Sequence, residues 1–295
     1  MTCSPTLRGP YTVRDARMKK FKVGEHTISY VDTEAGEPIV FVHGTPSSSF
    51  EFREVIKLLS KKYRCVAIDH LGFGSSDKPE SGDYSLAAHT ERLQALIEKL
   101  NLGSFHLVVH DFGGVIGLPL LFESPSRIKS LTLINTWAWK LEEVEPQLRR
   151  QKWLMTSPMM KFLYLKLNFS ALVMVKMAWG KHRPLTKAHH SHYQLAFRTP
   201  SERMGTWKFL EALFDSSNPA WDFSSRIKEI SPPPVMILWG EADKFISMQN
   251  FKKWKSLFPK ARTHSFKNVG HFVCDEAPEL VAPALMEFVG EVPQS

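Results

Sequence analysis

One segment of this 295-residue sequence, residues 105–122, limits the possible folds more than any other. Residues 105–110 form a short apolar run with β-branched valines, which is typical of a buried strand. Asp111 follows, then Gly113 and Gly114, and residues 115–122 are apolar over a length that suits a buried helix. A strand, one residue on a tight turn, small residues and a helix make up a nucleophile elbow, in which glycines let strand and helix approach closely. The segment alone equally allows a strand end in another α/β fold, with Asp111 as the helix N-cap.

Strand patterns and helix patterns alternate along most of the chain. After a loose lead-in over residues 1–18 and a hairpin around 21–31, buried-strand runs are found at 38–42 and 65–68, and further strands are predicted at 128–134, 234–239 and 262–266. Helical spacing of apolar residues is clearest at 85–100, 248–258 and 278–289. Such alternation predicts an α/β fold with a mostly parallel central sheet flanked by helices. Ligands bind outside the carboxyl ends of the strands in such sheets, so the loops after residues 42, 68, 110 and 134 are expected to share one edge.

The alternation stops between residues 137 and 222, where no strand pattern is found. This segment is rich in methionine and aromatic residues, and it holds 13 Lys and Arg against 7 Asp and Glu. Because the insertion starts at the end of a predicted strand, it must lie over the ligand-binding edge. We therefore predict a helical cap domain over 137–222 and a core domain formed by 1–136 and 223–295. Methionines and flat aromatic rings suit the lining of an apolar pocket.

Composition and charge restrict the partners. The net charge of +8 comes from dispersed Lys and Arg with no run of five, which does not favour a nucleic-acid partner. No apolar run approaches the roughly 20 residues of a membrane span, and the first 20 residues show no signal-peptide pattern. Three scattered cysteines suit a reducing compartment and favour neither disulfides nor a zinc site. We expect a cytoplasmic protein with no metal, no organic cofactor and no membrane partner.

Three residues with catalytic side chains follow predicted strands in the order Asp111, Asp243, His271. Taken singly, an Asp after a strand is more often a turn former, and a His is more often a surface or core residue. Their order is that of nucleophile, acid and histidine in a known catalytic arrangement. Together with the glycine-rich turn, the three residues predict a catalytic triad.

Several motifs resemble those of the haloalkane dehalogenase branch of the α/β-hydrolases over nearly the whole chain. They are His43-Gly44-Thr45-Pro46, the run DHLGFGSSDKP at 69–79, His110-Asp111-Phe112-Gly113-Gly114, and Gly270-His271-Phe272. The resemblance implies an α/β-hydrolase fold with an inserted helical cap. It also implies hydrolysis of a small apolar substrate with water as the second substrate, by a monomer or weak homo-oligomer.

The resemblance further implies a mechanism. Asp111, ionised at neutral pH, would attack an sp³ carbon and form an alkyl ester on the enzyme. His271, oriented by Asp243, would then activate water to hydrolyse that ester. The family's oxyanion donors correspond to the backbone N–H groups of Thr45 and Phe112. Asn135 lies where one dehalogenase branch carries its acid; because an amide cannot fill that role, we assign it to Asp243.

The sequence departs from the family at the halide site. Family members stabilise the halide with a Trp N–H at the position of Phe112, and often with an Asn at the position of Thr45. Phe112 has no ring N–H, and Thr45 offers only a hydroxyl. A cap tryptophan could compensate, the candidates being residues 137, 139, 153, 179 and 207. We predict that the substrate pocket includes Trp137, Trp139, Tyr164, Tyr193 and Phe272.

Three alternatives to a dehalogenase stay open. An epoxide hydrolase needs acidic donors, usually two cap tyrosines, and Tyr164 and Tyr193 are the only tyrosines in the predicted cap. A relative that processes β-lactones would need no halide site. A ligand-binding protein on a hydrolase scaffold would not turn over at all, although such proteins usually lose a triad residue.

Overall fold

The structure, a computed structural model, describes residues 17–215 and 219–293. An eight-stranded sheet with the order β1-β2-β4-β3-β5-β6-β7-β8 forms its centre. The strands are β1 (Arg17–Val23), β2 (His26–Asp32), β3 (Glu37–Val42), β4 (Tyr63–Ile68), β5 (Phe105–Asp111), β6 (Ile128–Thr136), β7 (Val235–Gly240) and β8 (Arg262–Phe266). β1 and β2 pair antiparallel, β2 pairs antiparallel with β4, and every other pairing is parallel. The predicted α/β class is therefore confirmed.

β5 lies in the middle of the sheet, between β3 and β6, and all seven of its residues are buried. Its side chains alternate between two apolar layers, with Leu107 and Val109 in one and Val108 in the other. Successive side chains of a strand point to opposite faces, so a strand covered by helices on both sides needs an unbroken apolar run. This requirement explains why the sequence pattern was clearest at 105–110.

Helices cover both faces of the sheet. The α-helices are α1 (Arg53–Leu59), α2 (Leu86–Lys99), α3 (Phe112–Gly117), α4 (Leu120–Glu123), α5 (Pro146–Met155), α6 (Pro158–Leu167), α7 (Val175–Ala178), α8 (Lys187–Leu195), α9 (Met204–Leu213), α10 (Phe223–Arg226), α11 (Met248–Leu257), α12 (Val273–Glu276) and α13 (Pro278–Glu291). The single helix predicted after Asp111 is instead two short ones, α3 and α4. Pro119, at the N-terminus of α4, has no backbone N–H with which to continue α3.

Between β6 and β7 the described residues form helices and turns and no strand. We call residues 137–222 the insertion. Its side chains Tyr164, Met174 and Leu210 line a cavity that also contacts Asp111 and His271. The insertion therefore lies over the carboxyl ends of the parallel strands, the edge at which ligands bind in folds of this type.

The start of the chain differs from the prediction where the structure describes it. Residues 1–16 of the predicted lead-in over 1–18 lie outside the described residues, and Arg17 already belongs to β1. Cys3 lies in the same undescribed part. Cys65 and Cys274 are both buried and free of disulfides.

Candidate active site

Asp111 stands at the junction of β5 and α3, as the elbow pattern predicts. Its backbone has φ 53° and ψ −128°, a conformation that is strained for a residue with a side chain. The turn is tight enough that a Cβ on Gly113 would collide with the carbonyl of Val42 in the neighbouring strand β3. Thr136, at the end of β6, donates its hydroxyl to the carbonyl oxygen of Asp111 at 2.6 Å. The elbow is therefore held by both strands that flank β5.

The loop after β3 meets the carboxylate of Asp111. The backbone N–H of Thr45 donates to Asp111 Oδ1 at 2.8 Å. A Cβ on Gly44 would fall on that same carboxylate, so only glycine lets the loop approach this closely. The backbone N–H of Phe112 contributes to lowering the pKa of the same carboxyl group. Both N–H groups expected to form an oxyanion hole thus act on Asp111, and that of Thr45 donates directly to its Oδ1.

His271 connects the two acidic residues of the predicted triad. Its Nδ1 lies 2.7 Å from Asp243 Oδ2, and its Nε2 lies 3.3 Å from Asp111 Oδ2. Burial alone would lower the pKa of His271, but the charges of Asp243 and Asp111 and their hydrogen bonds outweigh it and raise the pKa well above its ordinary value. Burial would raise the pKa of Asp111, but His271 and the Phe112 N–H hold it below the usual range. The structure therefore brings Asp111, Asp243 and His271 together as a charged, hydrogen-bonded group.

Asp243 is positioned by its own turn and by β6. Its Oδ1 accepts the backbone N–H groups of Phe245 at 2.8 Å and Ile246 at 3.2 Å. Its Oδ2, which faces His271, also accepts Nδ2 of Asn135 at 2.8 Å. Asn135 in turn accepts the N–H of Gly240 at 2.8 Å, which links the ends of β6 and β7. Asn135, whose amide cannot act as the catalytic acid, therefore holds Asp243, to which we assign that role.

Two buried glutamates that the sequence did not single out support His271. Glu51 Oε1 contacts Nδ1 of His110 at 2.9 Å, and Nε2 of His110 contacts the carbonyl oxygen of His271 at 2.9 Å. Glu276 accepts the N–H groups of Gly270 and Gly180, and burial raises its pKa to about 7. No motif marks either residue, and the contacts of Glu51 with His110 and of Glu276 with Gly180 join segments remote in the sequence.

The cavity above Asp111 has a volume of about 300 Å³ and a mostly apolar lining. Of the predicted pocket residues, Trp137, Tyr164 and Phe272 line it. Two predictions are wrong. Trp139 is buried against Trp254 and donates to Asn250 Oδ1 at 2.9 Å, outside the lining. Tyr193 donates to Asp275 Oδ2 at 2.6 Å, where it joins the insertion to α12 instead of facing the cavity.

The ring N–H groups of the insertion's tryptophans differ in their environments. Trp179 donates to the carbonyl of Arg183 at 2.6 Å, and the side chain of Trp153 is 74% exposed. Nε1 of Trp207 is buried without a partner among the described residues, but that ring is not part of the cavity lining. Trp137 alone of the five candidates combines a place in the lining with a buried Nε1 that has no partner in the described chain. The hydroxyl of Thr45, also in the lining, is likewise unpaired.

Within residues 17–215 and 219–293 no group of three or more His, Cys, Asp or Glu side chains has the arrangement of a metal site. The chemistry that the described residues can supply is that of a buried carboxylate, a charged histidine and backbone N–H donors. Such a group can carry out nucleophilic attack followed by acid–base catalysis.

Comparison with known proteins places this geometry in a family. The model of the alpha/beta hydrolase fold matches residues 37–278. A cis-3-alkyl-4-alkyloxetan-2-one decarboxylase of Shewanella oneidensis is 30% identical over 273 residues, which are 90% of this chain and 85% of the relative. Haloalkane dehalogenase 2 of Mycobacterium tuberculosis is 27% identical over 265 residues, 89% of this chain and 91% of the relative.

Solved structures agree on the fold. A haloalkane dehalogenase of Agrobacterium tumefaciens has a TM-score of 0.83 at 22% identity, covering 94% of this chain and 97% of the other. One from Bradyrhizobium elkani has a TM-score of 0.83 at 19% identity, covering 94% and 99%. The matching family model, the relatives and the shared fold together show that the chain belongs to the α/β-hydrolase family, as an enzyme of the haloalkane dehalogenase-like kind.

Proposed function

We propose that Asp111 is the nucleophile of this enzyme and carries the substrate as an alkyl ester. The observation that supports this most strongly is the different environment of its two oxygens. Oδ1 accepts the Thr45 N–H at 2.8 Å, whereas Oδ2 lies 3.3 Å from Nε2 of His271, and both residues line the cavity. A carboxylate that is ionised at neutral pH needs no base before it attacks an sp³ carbon. Oδ2 is therefore the attacking oxygen in this proposal.

Formation of the ester would prepare His271 for the next step. Alkylation removes the negative charge of Asp111, one of the two charges that raise the pKa of His271. With a lower pKa, the histidine releases its Nε2 proton to solvent and can accept one from water. That water attacks Cγ of Asp111, the bond from Cγ to the alkyl oxygen breaks, and the alkoxide takes the proton from His271 and leaves as an alcohol. The carboxylic acid formed on Asp111 then returns a proton to His271. The N–H groups of Thr45 and Phe112 stabilise the negative charge that develops on Oδ1.

The substrate class that we propose first is a β-lactone. Phe112 has no ring N–H to donate to a free halide ion, whereas the anion released from a β-lactone stays attached to the substrate and can be lost as CO₂. Attack of Asp111 on the lactone carbon that bears the ring oxygen breaks that carbon–oxygen bond and releases a carboxylate still attached to the substrate. The 30% identity to the S. oneidensis oxetanone decarboxylase supports this class.

The ester formed from a β-lactone can break down by a route, here called its exit, that consumes no water. The bond between the released carboxylate and its neighbouring carbon breaks, and its electron pair forms a carbon–carbon double bond. Asp111 then leaves as a free carboxylate, with CO₂ and an alkene as products. The backbone N–H of Thr45, which donates to Oδ1, stabilises Asp111 as the leaving group. We propose this exit for lactone substrates.

Haloalkane hydrolysis is the second candidate, and one observation favours it. The unpaired Nε1 of Trp137 in the cavity lining could donate to a leaving halide in place of the missing donor at Phe112. The ester formed from a haloalkane carries no carboxylate, so only water activated by His271 could release it. The epoxide hydrolase alternative is weakened, because Tyr193 is outside the lining and leaves Tyr164 as the one member of the predicted tyrosine pair in it.

Intact-mass spectrometry of the His271→Ala variant tests the proposal. With a bromoalkane, the variant is expected to accumulate an alkyl adduct on Asp111, whereas the wild type releases alcohol and bromide. With a cis-dialkyl β-lactone, both proteins are expected to form alkene and CO₂. His264→Ala is the matched control, because that histidine lies in β8 away from the cavity lining.

Each other outcome of this experiment has a distinct meaning. A β-hydroxy acid from the lactone would contradict the proposed exit but keep the nucleophile. An adduct formed only from an epoxide would favour the epoxide hydrolase alternative. The absence of an adduct and of product with every probe would refute the proposal that Asp111 is a nucleophile.

A further inference from the structure

The insertion carries an unusual outer surface over residues 146–178, which comprise α5, α6 and the helical stretch Ser170–Ala178. Seven of the ten exposed large hydrophobic residues in the described chain lie there: Trp153, Met159, Phe162, Leu167, Leu172, Val173 and Met177. The ring of Trp153 is 74% exposed and that of Phe162 is 54% exposed. Concentrated exposed apolar surface usually marks a site of contact with a protein or a membrane.

The charge of the same segment is all of one sign. Residues 146–178 contain six Lys and Arg, at 149, 150, 152, 161, 166 and 176, and no Asp or Glu. All six basic residues are exposed. Basic residues that accompany exposed Trp, Phe and Leu are characteristic of helices that lie in the interface of anionic membranes. We call this surface of residues 146–178 the basic apolar face.

Helical spacing places the exposed residues of the basic apolar face on outer sides of its helices. Met159, Phe162 and Lys166 are separated by three and four positions and so share one side of α6. Val173 and Met177, four apart, share one side of the following helix. The inner sides meet elsewhere, where the hydroxyl of Tyr164 lies 3.0 Å from Sδ of Met174. The two helices are thus apolar both toward the cavity and toward solvent.

The helix geometry suits a segment that lies on a membrane. No single helix among the described residues is long and apolar enough to cross a bilayer, and Pro158–Leu167 and Ser170–Ala178 reach that length and composition only as a pair bent by 79°. Two short helices at such an angle can both rest their outer sides in one interface. The cavity is close by, because Leu148 and Gln151 of α5 line it.

We propose that the basic apolar face docks on an anionic lipid bilayer, so that apolar substrates reach the cavity from the membrane. The docking does not depend on which reaction Asp111 performs. The proposal differs from the sequence-based expectation of no membrane partner, which rested on the lack of an apolar run long enough to span a bilayer. A second copy of this chain is a less favourable partner for the basic apolar face than a bilayer. Each face carries six basic residues and no acidic residue, so two such faces would repel one another.

Vesicle flotation with the full chain tests the docking. The wild type is expected to float with vesicles of phosphatidylcholine and phosphatidylglycerol, and to float less with phosphatidylcholine alone or at high salt. The double variant Lys161→Gln with Lys166→Gln should lower the partition coefficient at least about tenfold, since each basic residue near an anionic surface contributes about 1 kcal/mol. Phe162→Ser should also weaken flotation.

Matched controls lie on the other parts of the surface. Leu280→Ser removes an exposed leucine of α13, and Lys255→Gln removes an exposed lysine of α11. Neither change should alter flotation. A wild type that stays unbound at low salt would refute the proposal, as would control variants that weaken flotation as much as the test variants. Loss of a wild-type dimer in Phe162→Ser, with no flotation of either protein, would assign the face to a second copy instead.

Discussion

Replacement of Asp243 by Asn should lower the pKa of His271 strongly, because it removes the charge that raises this pKa most. The carboxylate and the imidazolium touch at 2.7 Å, so their charge centres are roughly 4 Å apart, which gives about 4 kcal/mol at an effective dielectric constant near 20. The turn should survive, because an Asn Oδ1 can still accept the N–H groups of Phe245 and Ile246.

NMR titration of ¹³C-labelled histidine measures this pKa directly and needs no substrate. His271→Gln identifies the resonance of His271 by its loss. Glu241→Gln is the matched control, since Glu241 lies two residues away and hydrogen-bonds Ser265 at 2.7 Å instead of His271. An unchanged pKa of His271 in a folded Asp243→Asn variant would refute the view that Asp243 sets the charge of His271.

A second replacement tests the effect of Asp111 on the same histidine. In Asp111→Ala the negative charge beside Nε2 is absent, as it would be after alkylation. We expect the pKa of His271 to fall here as well, because the remaining support comes from Asp243 alone. An unchanged pKa would contradict the step in which ester formation turns His271 into a base.

Two further predictions concern buried groups. Trp137→Phe removes a buried N–H that has no partner in the described chain, so stability in urea should change little. The kcat/KM values for the bromoalkane and the β-lactone should fall at least about tenfold, because a donor to the leaving group is lost. Unchanged kcat/KM with both substrates would exclude Trp137 as a leaving-group donor. Glu276 holds its proton more tightly in the folded state, where its pKa is about 7 against an ordinary 4.5. Its contribution to the free energy of unfolding is therefore complete below pH 4.5, and about 3 kcal/mol of that free energy is lost as the pH rises through 7. Denaturant unfolding at both ends of this range should show that loss in the wild type and not in Glu276→Gln; equal pH dependence in the two proteins would contradict it.

Much of the fold could be predicted from the sequence, because its signals are local. A strand covered on both faces must be apolar throughout, so β5 was visible as a run of residues. Asp111, Asp243 and His271 each follow a strand, and the carboxyl ends of parallel strands meet at one edge of the sheet. Their proximity therefore followed from the order of the elements.

The interior of the insertion could not be predicted in the same way. Trp137 and Trp139 are two residues apart and both are buried, yet only Trp137 lines the cavity. Tyr164 and Tyr193 are both buried on helices, but Asp275 of α12 takes the hydroxyl of Tyr193. Whether a buried aromatic residue lines the cavity depends on how the insertion's helices pack against the core.

The sequence by itself determined the α/β class, the strand–turn–helix around Asp111, and its place in one group with Asp243 and His271, since periodicity and strand ends are properties of neighbouring residues. Only the tertiary structure decided which hydrogen bonds hold these residues in place. Asn135 donates to Asp243, and Glu51 contacts His110, which in turn contacts the carbonyl oxygen of His271. These contacts join residues from 59 to 161 positions apart. A hydrogen bond over such a separation depends on the packing of whole elements, and no local pattern records it.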